Sequence, residues 1–78
     1  MGQELEQDKL MGKNIKTARE ALGLTQEQLA AKLQVSGCDI SRATLAKSEV
    51  GIRHIRVSEI KAISEILKVD YDFLFKGL

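Results

Sequence analysis

Seventy-eight residues, 44% hydrophobic and 29% charged, suffice for one small core and at most one domain. A single cysteine excludes an intrachain disulfide and a Cys-x-x-Cys metal site, and no apolar run approaches the ~18 residues of a membrane span. The formal net charge of +1 does not by itself announce a polyanionic partner, so the distribution of charge carries more information than its total.

The absence of proline and a 3.6-residue apolar period throughout predict an all-α chain. Residues 1–12 are read as an N-terminal extension, flexible or weakly helical, ahead of a domain at 13–78. Its start, MGQELEQDKL, sets Glu4, Glu6 and Asp8 against Lys9. That is too polar for a secretory signal and of the wrong sign for an arm that grips a polyanion. A first helix is expected at about Lys13–Leu22, with Met11, Ile15, Ala18 and Leu22 along one face and Gly23 ending it.

A second helix follows at about Gln26–Gln34. Thr25 can cap it, Gln28 completes a capping box, and Leu24 with Leu29 forms a hydrophobic staple. Leu29, Ala30 and Leu33 turn inward. The connection Val35–Ile40, VSGCDI, leads to a third helix at about Arg42–Val50. Ser41 is its cap, Ile40 and Leu45 its staple, and Gly51 stands where a left-handed C′ residue belongs. A basic loop, Ile52–Val57, precedes a fourth helix at about Glu59–Lys68, capped by Ser58 and carrying Ile60, Ile63, Ile66 and Leu67. Asp70 caps a short fifth helix in which Tyr71, Leu74 and Phe75 are expected to close the core. Phe73 is expected on the outer face, available to a dimer seam.

Two consecutive capped and stapled helices form a unit whose entry angles are both fixed. This is the arrangement of a helix-turn-helix that presents its second helix to DNA. Charge agrees: residues 41–56 hold Arg42, Lys47, Arg53 and Arg56 against Glu49 alone, with His54 in addition. Arg42 can pair bidentately with guanine O6 and N7, and Ala43 can pack against a thymine methyl. Lys47, one turn further, faces the same way.

The pattern resembles the phage Cro/repressor-type helix-turn-helix domain, also called the xenobiotic-response-element type. The resemblance runs from about Ile15 to Leu74. It rests on Arg19, on Gly23-Leu24-Thr25-Gln26-Glu27-Gln28-Leu29-Ala30 and on Ser41-Arg42-Ala43-Thr44-Leu45-Ala46-Lys47. Glu49-x-Gly51 and Leu67-x-Val69-x-x-x-x-Leu74 complete it. It implies five helices, the third lying in the major groove. Carried onto this chain, Arg42 and Ala43 become base contacts, with Lys47 facing the same way, and Gln26 a phosphate contact; Ser41, Arg53 and Arg56 are expected as further phosphate contacts. Arg19 and Glu49 correspond to a buried structural ion pair. This chain departs from the family in three places. The turn is lengthened by about five residues, Ser36–Ile40. Ser48 stands where a large aliphatic residue is usual, and its hydroxyl is expected to bond back to the Thr44 carbonyl. Ile55 replaces a frequent proline.

Other chemistry finds little support. Cys38 is a lone thiol without a flanking cation, His54 suits phosphate or solvent better than metal, and no motif sets a nucleophile beside a base. The expectation is therefore a non-enzymatic, cytoplasmic regulator that binds double-stranded DNA as a homodimer on an inverted repeat. It would use no metal, cofactor, membrane or small-molecule ligand. The alternative is a protein-interaction adaptor that keeps the fold without binding DNA.

Overall fold

Thr25 and Ser41 cap their helices as their types require, and the helices they start make up the middle of the chain. A computed structural model describes the backbone of residues 2–78 and the side chains of residues 6–78. Five α-helices and no strand are found among the described residues: α1 (Gly2–Ala21), α2 (Gln26–Val35), α3 (Arg42–Glu49), α4 (Val57–Leu67) and α5 (Tyr71–Leu74). The fold is all-α with the predicted five-helix order. α3 packs against α1 and α2, α2 also touches α4, and α1 reaches α4 and α5. Among the described residues no helix is long and apolar enough to cross a membrane.

The core is one cluster drawn from every helix: Met11, Ile15, Ala18, Leu29, Leu33, Leu45, Ile60, Ile63, Leu67 and Leu74 are buried, with Ile40 and Ile55 from the connections. Most were expected from periodicity. Leu22 was too, but it follows the last residue of α1 and is half exposed. The fifth helix is also turned differently from the expectation. Leu74 is buried and Phe73 packs partly against the core, whereas Tyr71 and Phe75 share an exposed face. The Asn14 amide accounts for this orientation by donating to the carbonyls of Leu74 (2.8 Å) and Lys76 (3.0 Å), which ties α5 down on α1.

α1 begins well ahead of Lys13 and runs through most of the segment read as an extension. Met1 and the side chains of residues 2–5 lie outside the described residues. From Asp8 onward the reason for order is contact. Met11 is buried, Asp8 pairs with His54 at 3.0 Å, and two glycines let α1 lie directly on the end of α3. A Cβ on Gly12 would overlap the carbonyls of Ser48 and Glu49, and one on Gly51 would overlap the Lys9 backbone.

The lengthened turn is tightly made. α2 ends in a Schellman motif: the Cys38 N–H donates to the Leu33 carbonyl at 2.8 Å, the Gly37 N–H to the Gln34 carbonyl at 3.1 Å, and Gly37 takes φ 96°. Ile40 then plunges into the core, and its carbonyl accepts from the Gln34 amide at 3.1 Å. α3 closes with the same device, Ile52 N–H to the Lys47 carbonyl around Gly51 at φ 83°. α4 starts two residues before the expected Glu59. Its cap is Arg56, not Ser58, because the Glu59 carboxylate accepts the Arg56 N–H at 2.9 Å.

Candidate nucleic-acid interface

Of the eight residues of α3, Leu45, Ser48 and Glu49 are buried, Thr44 and Ala46 are intermediate, and Arg42, Ala43 and Lys47 are exposed. Ser41 sits in extended backbone at φ −77°, and its hydroxyl oxygen accepts the Thr44 N–H at 3.1 Å while donating to the Thr44 hydroxyl at 3.0 Å. The cap itself is exposed and stands at the head of this face. Beside it an open cleft is lined by Thr25, Gln26, Glu27 and Gln28 at the start of α2, by Arg19, and by Arg42.

The start of α2 forms the other wall. Thr25 Oγ1 accepts the Gln28 N–H at 3.0 Å, and the Gln28 side chain accepts the Thr25 N–H at 2.9 Å. This reciprocal box leaves the amides of the first helical residues, Gln26 and Glu27, ahead of the first helical hydrogen bond, where an anion can reach them. The Gln26 side-chain amide faces inward and donates to Glu49 Oε1 at 3.0 Å. A phosphate contact by Gln26 would therefore use its backbone N–H or the amide hydrogen left over.

Arg19 and Glu49 stand together behind this face. Arg19 Nε donates to Glu49 Oε2 at 2.7 Å, Nη2 to Oε1 at 3.0 Å, and Nη1 to the Leu24 carbonyl at 2.7 Å. Both residues are buried. The hydrogen bonds to Glu49 hold the guanidinium pKa above its ordinary value. The pair joins the last turn of α1, the entry to α2 and the end of α3. Its bonds tie the end of α3 to α1 and to the entry of α2.

Arg53 and Arg56, both placed among the phosphate contacts, part company. Arg56 is exposed at the head of α4. Arg53 is only partly exposed and is occupied internally: Nη1 and Nη2 bind Glu59 at 2.9 and 2.8 Å, and Nη1 also donates to Ser48 Oγ at 3.2 Å. Its place in a run of basic residues made it look like a solvated cation. A carboxylate six residues on was the only signal of the pairing. The hydrogen bonds from Arg53 and the N–H of Arg56 hold the Glu59 carboxyl below the usual carboxylate range, against the opposing effect of burial. Ser48 does bond to the Thr44 carbonyl, at 3.1 Å.

Cys38 lies half-buried in the turn, and burial together with the Glu59 charge pushes its thiol pKa up, away from reactive thiolate. Among the described residues no group of His, Cys, Asp and Glu is placed to hold a metal.

Comparison with known proteins agrees with this geometry. The family described as helix-turn-helix matches residues 15–74. Over 71 residues, 91% of its length, the chain is 35% identical to an uncharacterised HTH-type transcriptional regulator of Rickettsia conorii. It is 34% identical over the same share to one of Rickettsia prowazekii. The chain spans about half the length of these relatives, 53% and 51%. No solved structure gives a significant match. The match runs from Ile15 in α1 to Leu74 in α5 and takes in both capped helices and the buried Arg19–Glu49 pair, and the chain belongs to the Cro/C1-type helix-turn-helix family.

Proposed function

We propose that this chain is a sequence-specific DNA-binding module of a transcriptional regulator, with α3 lying in the major groove. The observation that carries the reading is that Arg42, Ala43 and Lys47 are all exposed on α3 while Leu45, Ser48 and Glu49 hold it to the bundle. Arg42 and Lys47 offer donors to purine edges, and Ala43 leaves room for a thymine methyl. Phosphates are held by the α2 amides at Gln26, by Ser41 and by Arg56, with Arg19 and Glu49 keeping the two helices in register behind them. Nothing in this scheme asks for catalysis, a cofactor or a metal, and it suits a cytoplasmic protein.

One such module covers ~600–1,000 Å² of interface, little for useful affinity, so a homodimer on an inverted repeat with half-sites ~34 Å apart is the active form. Its seam is the outer face of α4 and α5, where Val57, Tyr71 and Phe75 surround Ile60. Val57, Tyr71 and Phe75 are large side chains left exposed side by side, and a contiguous apolar patch on a small monomer is commonly functional.

Fluorescence anisotropy on duplex DNA across a salt series tests the reading, followed by selection from a random duplex pool. Binding should weaken steeply with salt. On the selected site Arg42→Ala should lose ~1–3 kcal/mol and relax the preference at one position, with the circular dichroism spectrum unchanged. A flat response down to low salt would instead favour the adaptor.

A further inference from the structure

Behind the reading face, opposite Ala43 and Lys47, a hydroxyl stands where a repressor-type helix usually carries an aliphatic side chain. Ser48 is 2% exposed. It donates to the Thr44 carbonyl within α3 and accepts from Arg53 Nη1 at 3.2 Å. Arg53 grips both oxygens of Glu59, and Glu59 Oε1 also takes the Arg56 N–H that opens α4. One unbroken hydrogen-bonded path therefore leads from the back of α3 to the first turn of α4. It runs through Arg53 of the proline-free loop between them.

We propose that Ser48, Arg53 and Glu59 form a polar clasp that sets the orientation of α3 on the bundle, so that Arg53 positions the reading helix and is not a backbone-phosphate contact. Apolar packing at this crossing would favour a class of angles with roughly ±15–20° of scatter. A fork to a carboxylate and a bond to one hydroxyl are directional, and this part-buried network leaves each of its members satisfied. Arg53 Nη1 serves both Ser48 and Glu59, so α3 cannot rotate about its axis without losing one of its bonds. Exposed Arg56, a few residues away, supplies the phosphate charge that Arg53 does not.

The inference rests on the DNA-binding reading, and one experiment separates the two. The dissociation constants of the wild-type chain, Arg53→Gln, Arg56→Gln and Ser48→Ala are measured on the selected site and on nonspecific duplex across a salt series. Removing a phosphate contact lowers the slope of log affinity against log salt by about 0.9 and weakens both duplexes alike, the result expected for Arg56→Gln. Arg53→Gln should keep the wild-type slope and nonspecific affinity while the ratio of specific to nonspecific binding falls tenfold or more. Ser48→Ala removes the link to α3 but leaves the Arg53–Glu59 pair whole. It should stay folded and lose the ratio by a smaller factor, and it decides the matter if Arg53→Gln does not fold. Arg53→Gln behaving like Arg56→Gln, or Ser48→Ala keeping the full ratio, overturns the clasp alone. A wild-type chain that binds neither duplex overturns the DNA-binding reading and the clasp with it.

Discussion

Glu49 is 4% exposed, yet its two oxygens accept three hydrogen bonds, two from Arg19 and one from Gln26. A buried carboxylate is tolerable only under such saturation, and removing one partner of a pair like this typically costs ~3–5 kcal/mol. The Arg53–Glu59 pair is wetter and therefore better placed to report itself by titration. Its folded carboxyl lies below the ordinary glutamate value, so the unfolded chain binds the proton more readily. The stabilisation is thus fully present above the unfolded pKa of ~4.3 and is lost as pH falls through the folded value. Urea unfolding followed between pH 7 and 3 should show the loss beginning only in the acid range, and Glu59→Gln should flatten that limb. An unchanged acid limb in the variant would mean that the pair contributes nothing. Of the two pairs, Arg19–Glu49 was legible only through family resemblance. Arg53–Glu59 was not legible, because charge in a loop carries no sign of which way the side chain points.

Among the elements, helix starts were the most readable feature. The capping box at Thr25 and Gln28 and the cap at Ser41 are local chemistry, decided within four residues. Ser58 misled because Glu59 caps the chain at Arg56, two residues earlier than a serine cap would have done. Crossings between helices were the least readable, since a glycine inside a helix says nothing about what lies against it. Gly12 turns that blindness into a test. Glycine to alanine inside a helix ordinarily stabilises by ~0.5–1 kcal/mol. Here the added methyl would meet two carbonyls of α3, so Gly12→Ala should destabilise instead, with a lower urea midpoint at unchanged m-value. A stabilised variant would mean that α1 does not rest on the end of α3.

The whole molecule measures 33 × 22 × 21 Å with a radius of gyration of 11.3 Å, close to the ~11.5 Å expected of a folded chain this size. Each copy carries one α3, so the proposed inverted repeat with half-sites ~34 Å apart would take two copies. The α4–α5 seam proposed for that pairing leaves the core untouched. Tyr71→Lys should accordingly shift the sedimentation mass toward the monomer and weaken full-site binding at least tenfold, with half-site binding and melting temperature little changed. A wild-type chain that stays monomeric on a two-half-site duplex would remove the seam. Periodicity foretold that α5 closes the bundle but not its rotation, which Asn14 sets from sixty residues away.

The insert between the two capped helices is pinned at both borders, by the Gly37 reversal on one side and by buried Ile40 with its Gln34 tether on the other. Between these anchors lie only Cys38, whose N–H is tied to the Leu33 carbonyl, and exposed Asp39. The segment therefore carries its own moorings, and a residue inserted beside Asp39 should be absorbed locally while α3 keeps its seat, with the melting temperature little changed. Such a site frees evolution to vary the spacer and the reading surface independently.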